Sequence, residues 1–168
     1  MVFARFPRRV TDGNIRLRPL RIFDGPFMKH AFQEKEVFEA NGLSEPVEGS
    51  WFDVWWWLRT VFFFSYCIEI DSRRSGFVGF YNFSPGRYAE IALSLFEDRT
   101  RGQGYGRRVF AMLERSLKRN ALVEKVVARV KEDNHAAAGF WKGIGFEVEA
   151  SCPEEGVIVM SKDLNRDL

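Results

Sequence analysis

The stretch from residue 88 to residue 131 constrains the fold more than any other. An apolar run, YAEIALSLFE, leads into RTRGQGYGRR, where Gly102, Gly104 and Gly106 stand at every second position. Beyond the glycines Val109, Met112, Leu113, Ser116 and Leu117 recur at helical spacing, and the β-branched run KVVARVK follows. The order is therefore strand, glycine turn, helix, strand, which belongs to an α/β domain. At 168 residues the chain fits one such domain and can bury about 70% of the surface its unfolded form exposes, so it needs no metal or disulfide staple.

The flanking sequence supplies the other elements. NIRLRPL alternates apolar residues with arginines, the pattern of a half-buried strand. From Asp24, a plausible N-cap, to about Ala40 the apolar residues Phe27, Met28, Ala31 and Phe32 predict a helix, and NGLSEP ends it. Ser50 caps a second predicted helix, WFDVWWWLRTVF. Its core stripe at 100° per residue collects Trp51, Val54, Trp55, Leu58, Val61 and Phe62 and leaves Phe52 and Trp56 outside. FFSYCIEI, the turn DSRRSG and FVGFYNFS read as a hairpin. A short helix from Asn134 to about Lys142, a strand after GIGF and a last strand in GVIVMSKDL complete the chain. The expectation is about seven strands and about four helices in a single domain over residues 1–168, with no repeat or linker.

Composition removes several function classes. The 25 Lys and Arg nearly balance the 23 Asp and Glu, with no basic stripe, so a nucleic-acid partner is not expected. No run approaches the roughly 20 apolar residues of a membrane span, and the N-terminal stretch lacks a cleavage signal. Cys67 and Cys152 have no paired spacing, His30 has Glu34 alone at helical spacing, too few ligands to suggest a metal, and His135 opens a helix. These features predict no metal site and a reduced, cytoplasmic setting. His30 reads as partly buried filler and His135 as a surface residue.

The glycine turn carries the chemistry. A strand-to-helix turn presents unpaired backbone N–H groups at the positive end of the helix dipole, so its default ligand is a phosphate. A dinucleotide fingerprint would need a third glycine where Arg107 stands, and a P-loop would need Lys-Ser or Lys-Thr after the last glycine. Neither motif fits. R-x-x-G-x-G does, as Arg101, Gly104 and Gly106, and NHAAAGFWKGIGF follows with an asparagine, an alanine three residues on, an aromatic pair and a closing Gly-Phe.

With both signatures the chain resembles the GNAT superfamily of N-acetyltransferases, over residues 14–163 in element order and over 90–146 in motif. The resemblance implies the acyl-CoA N-acyltransferase fold, a mixed, mostly antiparallel sheet flanked by helices. It implies acetyl-CoA as co-substrate and no metal. The pyrophosphate would lie on the N–H groups of Arg101, Gly102, Gln103, Gly104, Tyr105 and Gly106, with Arg107 and Arg108 near the adenosine phosphates. The pantetheine arm would pair with Leu95 and Phe96. Asn134 would bond that arm or a water, and it reads equally well as a helix N-cap.

Acetyl transfer of this kind needs a proton sink, a donor to the developing oxyanion and protonation of the thiolate. Glu90, on the strand before the turn, is the candidate base through a water, and a solvent-facing glutamate is the alternative. The resemblance implies the backbone N–H of Phe96 as oxyanion donor. The family's usual tyrosine acid is replaced by Trp141, whose indole N–H donates a hydrogen bond but delivers no proton. That departure leaves two readings open, an N-acetyltransferase and a non-catalytic CoA-binding module.

In this fold the first two helices wall the acceptor pocket. Residues 33–57 carry Glu34, Glu36, Glu39, Glu45, Glu48 and Asp53 against Lys35 alone, an acidic rim suited to a cationic amine. Phe52 and Trp56, outside the predicted core stripe, would supply an apolar or cation-binding wall. The alternative is a solvated acidic face with aromatic core filler or a homodimer patch. The element order is also similar to that of acetyltransferases of ribosomal-protein N-termini and of amino sugars. The expected reaction is acetylation of a primary amine of a small molecule, peptide or protein N-terminus in a ternary complex.

Overall fold

The computed structural model describes residues 9–40, 45–46, 49–62, 64–152 and 154–165. Its strands are β1 (Val10–Asp12), β2 (Ile15–Pro19), β3 (Ser65–Ile70), β4 (Arg73–Ser84), β5 (Tyr88–Leu95), β6 (Lys125–Lys131), β7 (Glu147–Cys152) and β8 (Val157–Asp163). They form one sheet in the order β1-β2-β3-β4-β5-β6-β8-β7. Every pairing is antiparallel except β5 with β6, the pair joined across α4 (Tyr105–Arg119). The sheet thus has eight strands rather than about seven. The additional one, β1, is three residues long, too short for alternation to register in the sequence.

The two faces of the sheet have separate cores. α4 and α5 (His135–Gly143) cover one face, burying Val109, Phe110, Leu113 and Trp141 against Ile15, Leu17, Ile68, Val78, Phe80 and Val126. α1 (Gly25–Ala31), α2 (Lys35–Ala40) and α3 (Gly49–Phe62) cover the other, packing Met28, Phe32, Val37, Phe38, Phe52 and Trp56 on Leu20, Cys67 and Phe77. Each such fully buried side chain contributes about 1.5–3 kcal/mol before the entropy of ordering it is counted.

The helix expected from Asp24 to Ala40 is two helices. The chain breaks after Phe32, whose N–H still reaches the carbonyl of Met28 at 2.8 Å, and the Gln33 N–H bonds the His30 carbonyl. Re-aiming the axis there lets Phe32, Val37 and Phe38 all enter the same core. His30 is exposed rather than partly buried.

The inward face of α3 departs from the predicted stripe, keeping Trp55 but adding Phe52 and Trp56. Phe52 and Trp56 are 1% and 5% exposed, while Val54 and Leu58 are 49% and 39% exposed. Phe52 and Trp56 stack nearly parallel at 6.2 Å, and Trp55 meets Phe32 edge-on at 5.3 Å. The physical reason is that residues 51–62 are apolar almost all round, so periodicity does not select a side and packing against α1 does. The two rings expected to wall an acceptor pocket are core residues in this structure.

Candidate functional site

The site begins where two strands part. β5 and β6 pair only at Tyr88↔Lys125, Ala89↔Val126 and Glu90↔Val127, although β5 continues to Leu95 and β6 to Lys131. Residues 91–95 therefore border an opening about 17 Å long at roughly 3.3 Å per residue. Which backbone groups face it follows from the other side of β5. The Phe96 N–H donates to the Ser75 carbonyl at 2.9 Å, and hydrogen-bonded pairs alternate along an antiparallel ladder. Ser94, Ala92 and Glu90 thus turn their backbone groups toward β4, while Leu93 and Leu95 turn theirs toward the opening.

This corrects one expectation. The Phe96 N–H, implied as oxyanion donor, is already committed to Ser75. The N–H of Leu95, like that of Leu93, is directed into the opening. The Leu95 carbonyl is held by the Arg101 Nε at 3.0 Å, and Arg101 also pairs with Asp98 at 3.1 Å. Arg101 therefore ties the glycine turn back to the end of β5.

The turn leaves the start of α4 open. Gly102 and Gly104 have φ of +69° and +79°, and a Cβ built on either meets nothing within 4 Å. Gly104 occupies the N-cap position with no side-chain cap, and the first helical bond runs from the Arg108 N–H to the Gly104 carbonyl at 3.1 Å. The N–H groups of Tyr105, Gly106 and Arg107 are left without intrahelical partners, at the positive end of a 15-residue helix. Gly106 serves packing, since a Cβ there would lie 3.0 Å from the Phe140 ring.

The neighbouring basic residues divide. Arg107 and Gln103 are exposed beside the turn. Arg108, expected near phosphates, instead bonds the Asp12 carbonyl at 2.9 Å and the Asn14 Oδ1 at 3.3 Å, and pairs with the Asp12 carboxylate at 3.4 Å. The Tyr105 hydroxyl accepts from Asn14 Nδ2 at 3.3 Å. These contacts clamp the β1–β2 turn to the first turn of α4.

Glu90 stands at the vertex of the opening, in the last β5–β6 pair. Its side chain lies on the face turned to α1–α3, because Ala89 and Ile91 belong to the α4–α5 core and side chains alternate along a strand. Asn82 Nδ2 donates to its Oε2 at 2.8 Å. On the same face Phe96 meets Phe27 at 5.5 Å and Phe32 at 6.3 Å. Glu34, Glu45 and Asp53 are exposed, the side chains of Glu36 and Glu39 lie outside the description, and Glu48 lies outside the described residues.

Asn134 and Trp141 take structural places. The Asn134 Oδ1 accepts from the Ala137 N–H at 3.0 Å, so it caps α5. Trp141 is 5% exposed and packs on Phe146 at 4.7 Å, Phe140 at 5.0 Å and Phe110 at 6.0 Å. Among the described residues no group of three His, Cys, Asp or Glu could hold a metal ion.

Sequence reasoning passed over a buried ion cluster under the start of α1. Arg18 reaches Asp24 through both terminal nitrogens at 2.7 and 2.8 Å and Glu69 through Nε at 2.7 Å, while Arg16 pairs with Glu69 at 2.5 Å. The alternation of Arg16 and Arg18 with apolar neighbours was the available signal. Burial pushes the Asp24 carboxyl up, but the Arg18 bonds, the Arg21 N–H and the charges of Arg18 and Arg74 outweigh it, so the net shift is downward. Glu69 follows the same pattern, with burial opposed by Arg18 and Arg16. The Cys67 thiol, also buried in this core, is pushed up to about 12 by burial, so it is no nucleophile.

An unpaired stretch of strand ending at a glycine turn and an uncapped helix N-terminus fits a long ligand with a phosphate at one end. The model of the Acetyltransferase (GNAT) family matches residues 28–146. Solved structures of similar fold include a ribosomal L7/L12 alpha-N-protein acetyltransferase (15% identity, 92% of each chain covered, TM-score 0.79). Another is spermidine N-acetyltransferase from Vibrio cholerae in complex with CoA and spermine (19% identity, 91% of this chain and 97% of that one, TM-score 0.76). A third is the microcin C7 self-immunity acetyltransferase in complex with acetyl-CoA and AMP (13% identity, 96% and 99% covered, TM-score 0.76). No curated protein matches the sequence.

Proposed function

Because the chain belongs to the acetyltransferase (GNAT) family, we propose that it transfers an acetyl group from acetyl-CoA to a primary amine of a small molecule, a peptide or a protein N-terminus. Attack is direct, in a ternary complex. The observation that carries this reading is the β5–β6 opening that runs from Glu90 to the uncapped start of α4. Acetylation of proteins and of spermidine by the similarly folded enzymes supports the amine as the acceptor class.

Bound acetyl-CoA supplies the activated acyl group, and its thiol, with an ordinary pKa of about 8.5, leaves tolerably as thiolate. The N–H groups of Tyr105, Gly106 and Arg107 and the backbone at Gly102 and Gly104 hold the pyrophosphate end. The backbone groups of Leu93 orient the arm, and the Leu95 N–H donates to the acyl oxygen while Arg101 holds the Leu95 carbonyl. Glu90 receives the acceptor's proton through a water. A primary ammonium has a pKa of about 10.4, so at neutral pH it must lose that proton before it attacks. Trp141 packs behind this site and transfers no proton.

The test is thiol release from acetyl-CoA with a panel containing spermidine, an amino sugar, free amino acids and a peptide with N-terminal serine. Turnover with one class of amine supports the proposal. Trp141 in the place of the usual tyrosine favours a second reading, a CoA-binding module without catalysis. Tight acetyl-CoA binding with no turnover across the panel would select it.

A further inference from the structure

We propose that Asn82 is a positioning residue that aims the Glu90 carboxylate at the acceptor, an inference that rests on the function proposed above. The argument starts from the path of β4. Tyr81 pairs with Glu90 and Ser84 with Tyr88, so three steps along β4 answer two along β5, and the register shifts between them. The surplus residue makes a bulge, a device that re-aims a side chain at the cost of a ladder bond.

Asn82 sits in that bulge with φ of +39°, a backbone region that only glycine and asparagine or aspartate visit readily. In an unbroken ladder residue 82 would project to the opposite face from Tyr81 and Glu90, toward the α4–α5 core that holds Phe80. The left-handed backbone turns it back. Its Nδ2 then donates to the Glu90 Oε2 at 2.8 Å.

The consequence is geometric. Glu90 is only half-buried, and a glutamate in that setting samples several rotamers unless a partner holds it. One oxygen fixed by Asn82 leaves the other to take a proton from a water or an amine at the vertex of the opening, and Asn82 itself need touch no substrate. A strained residue whose side chain holds a candidate base is the arrangement in which local strain serves pre-organisation.

A double-mutant cycle tests this, with steady-state acetylation of the most active amine of the panel above. Asn82→Gly keeps the positive φ and removes the amide. It should lower kcat about tenfold and leave the KM for acetyl-CoA unchanged. Glu90→Gln should lower kcat about a hundredfold. Adding Asn82→Gly to Glu90→Gln should cost less than a further twofold, because nothing remains to be aimed. Asn82→Asp tolerates the same backbone but cannot donate, and should lose at least as much activity as Asn82→Gly.

Additive losses in the cycle would make Asn82 a merely structural residue and overturn the proposal, as would Asn82→Gly at the parent rate. If Glu90→Gln retains full activity, Glu90 is not the base and Asn82 has nothing to position. A panel without any turnover overturns the acetyltransferase reading, and the positioning role falls with it.

Discussion

Gly104 holds φ at +79° with no side-chain cap above it, and that combination specifies both its backbone and its surface. Gly104→Val forces a β-branched residue into the left-handed region at about 1–2 kcal/mol and places two methyl groups over the N–H groups of the turn. The expected outcome is a folded protein with at least tenfold weaker acetyl-CoA binding by calorimetry. Unchanged affinity would remove the turn from the site. Trp141 makes the opposite kind of residue-scale case, because it packs against three aromatic rings. Trp141→Phe should cost about 1–3 kcal/mol in urea unfolding through the space it leaves, with kcat within a few-fold of the parent. A hundredfold loss of kcat would make the indole N–H a catalytic donor. The exchange of tyrosine for tryptophan was legible in the sequence. That the ring is also walled in by Phe110 and Phe146, beyond its neighbour Phe140, was not, since Phe110 reaches it only through the packing of α4 on α5 and Phe146 only through the turn after α5.

At the scale of elements, the start of α1 is fixed by the Arg18, Asp24 and Glu69 cluster. Removing Asp24 strips the buried Arg18 of two of its three carboxylate bonds, so Asp24→Ala should lose about 3 kcal/mol, measurable by urea denaturation at neutral pH. The pH dependence follows from the downward shifts of Asp24 and Glu69. Both carboxylates bind protons more weakly folded than unfolded, so their stabilisation is complete above the ordinary carboxylate range, near about pH 4, and is lost as pH falls through the depressed folded values. Stability of the parent should therefore decline steeply below about pH 4, and that of Asp24→Asn less steeply. Equal slopes would show that the cluster does not govern acid unfolding. α3 marks the limit of pattern reading at this scale. With Trp51, Phe52, Val54, Trp55, Trp56 and Trp57 within about two turns, hydrophobicity names a buried helix but no inward face. The pairing of Phe52 and Trp56 with α1 and Phe32 decided it.

For the whole molecule, acetyl-CoA should stabilise the folded chain through linkage. At a hundred times its Kd a ligand adds about 2.7 kcal/mol, which for a chain of this length raises Tm by about 5–11 °C. Coenzyme A should act similarly and NAD should not. A chain indifferent to both thioester and thiol but stabilised by NAD would contradict the assignment of the turn. What the sequence alone determined is the local part of this design. The α/β order, the strand–glycine–helix segment and the family signatures could be read from contiguous residues, because turn conformation and helix dipoles are set within a few residues of where they act. Tertiary structure decided what depends on partners distant in the chain. The splay of β5 from β6, the commitment of the Phe96 N–H to Ser75, the inward face of α3 and the bulge that brings Asn82 to Glu90 each rest on pairings between separate strands or helices. Those pairings depend on register and packing, which side-chain periodicity in one segment does not encode.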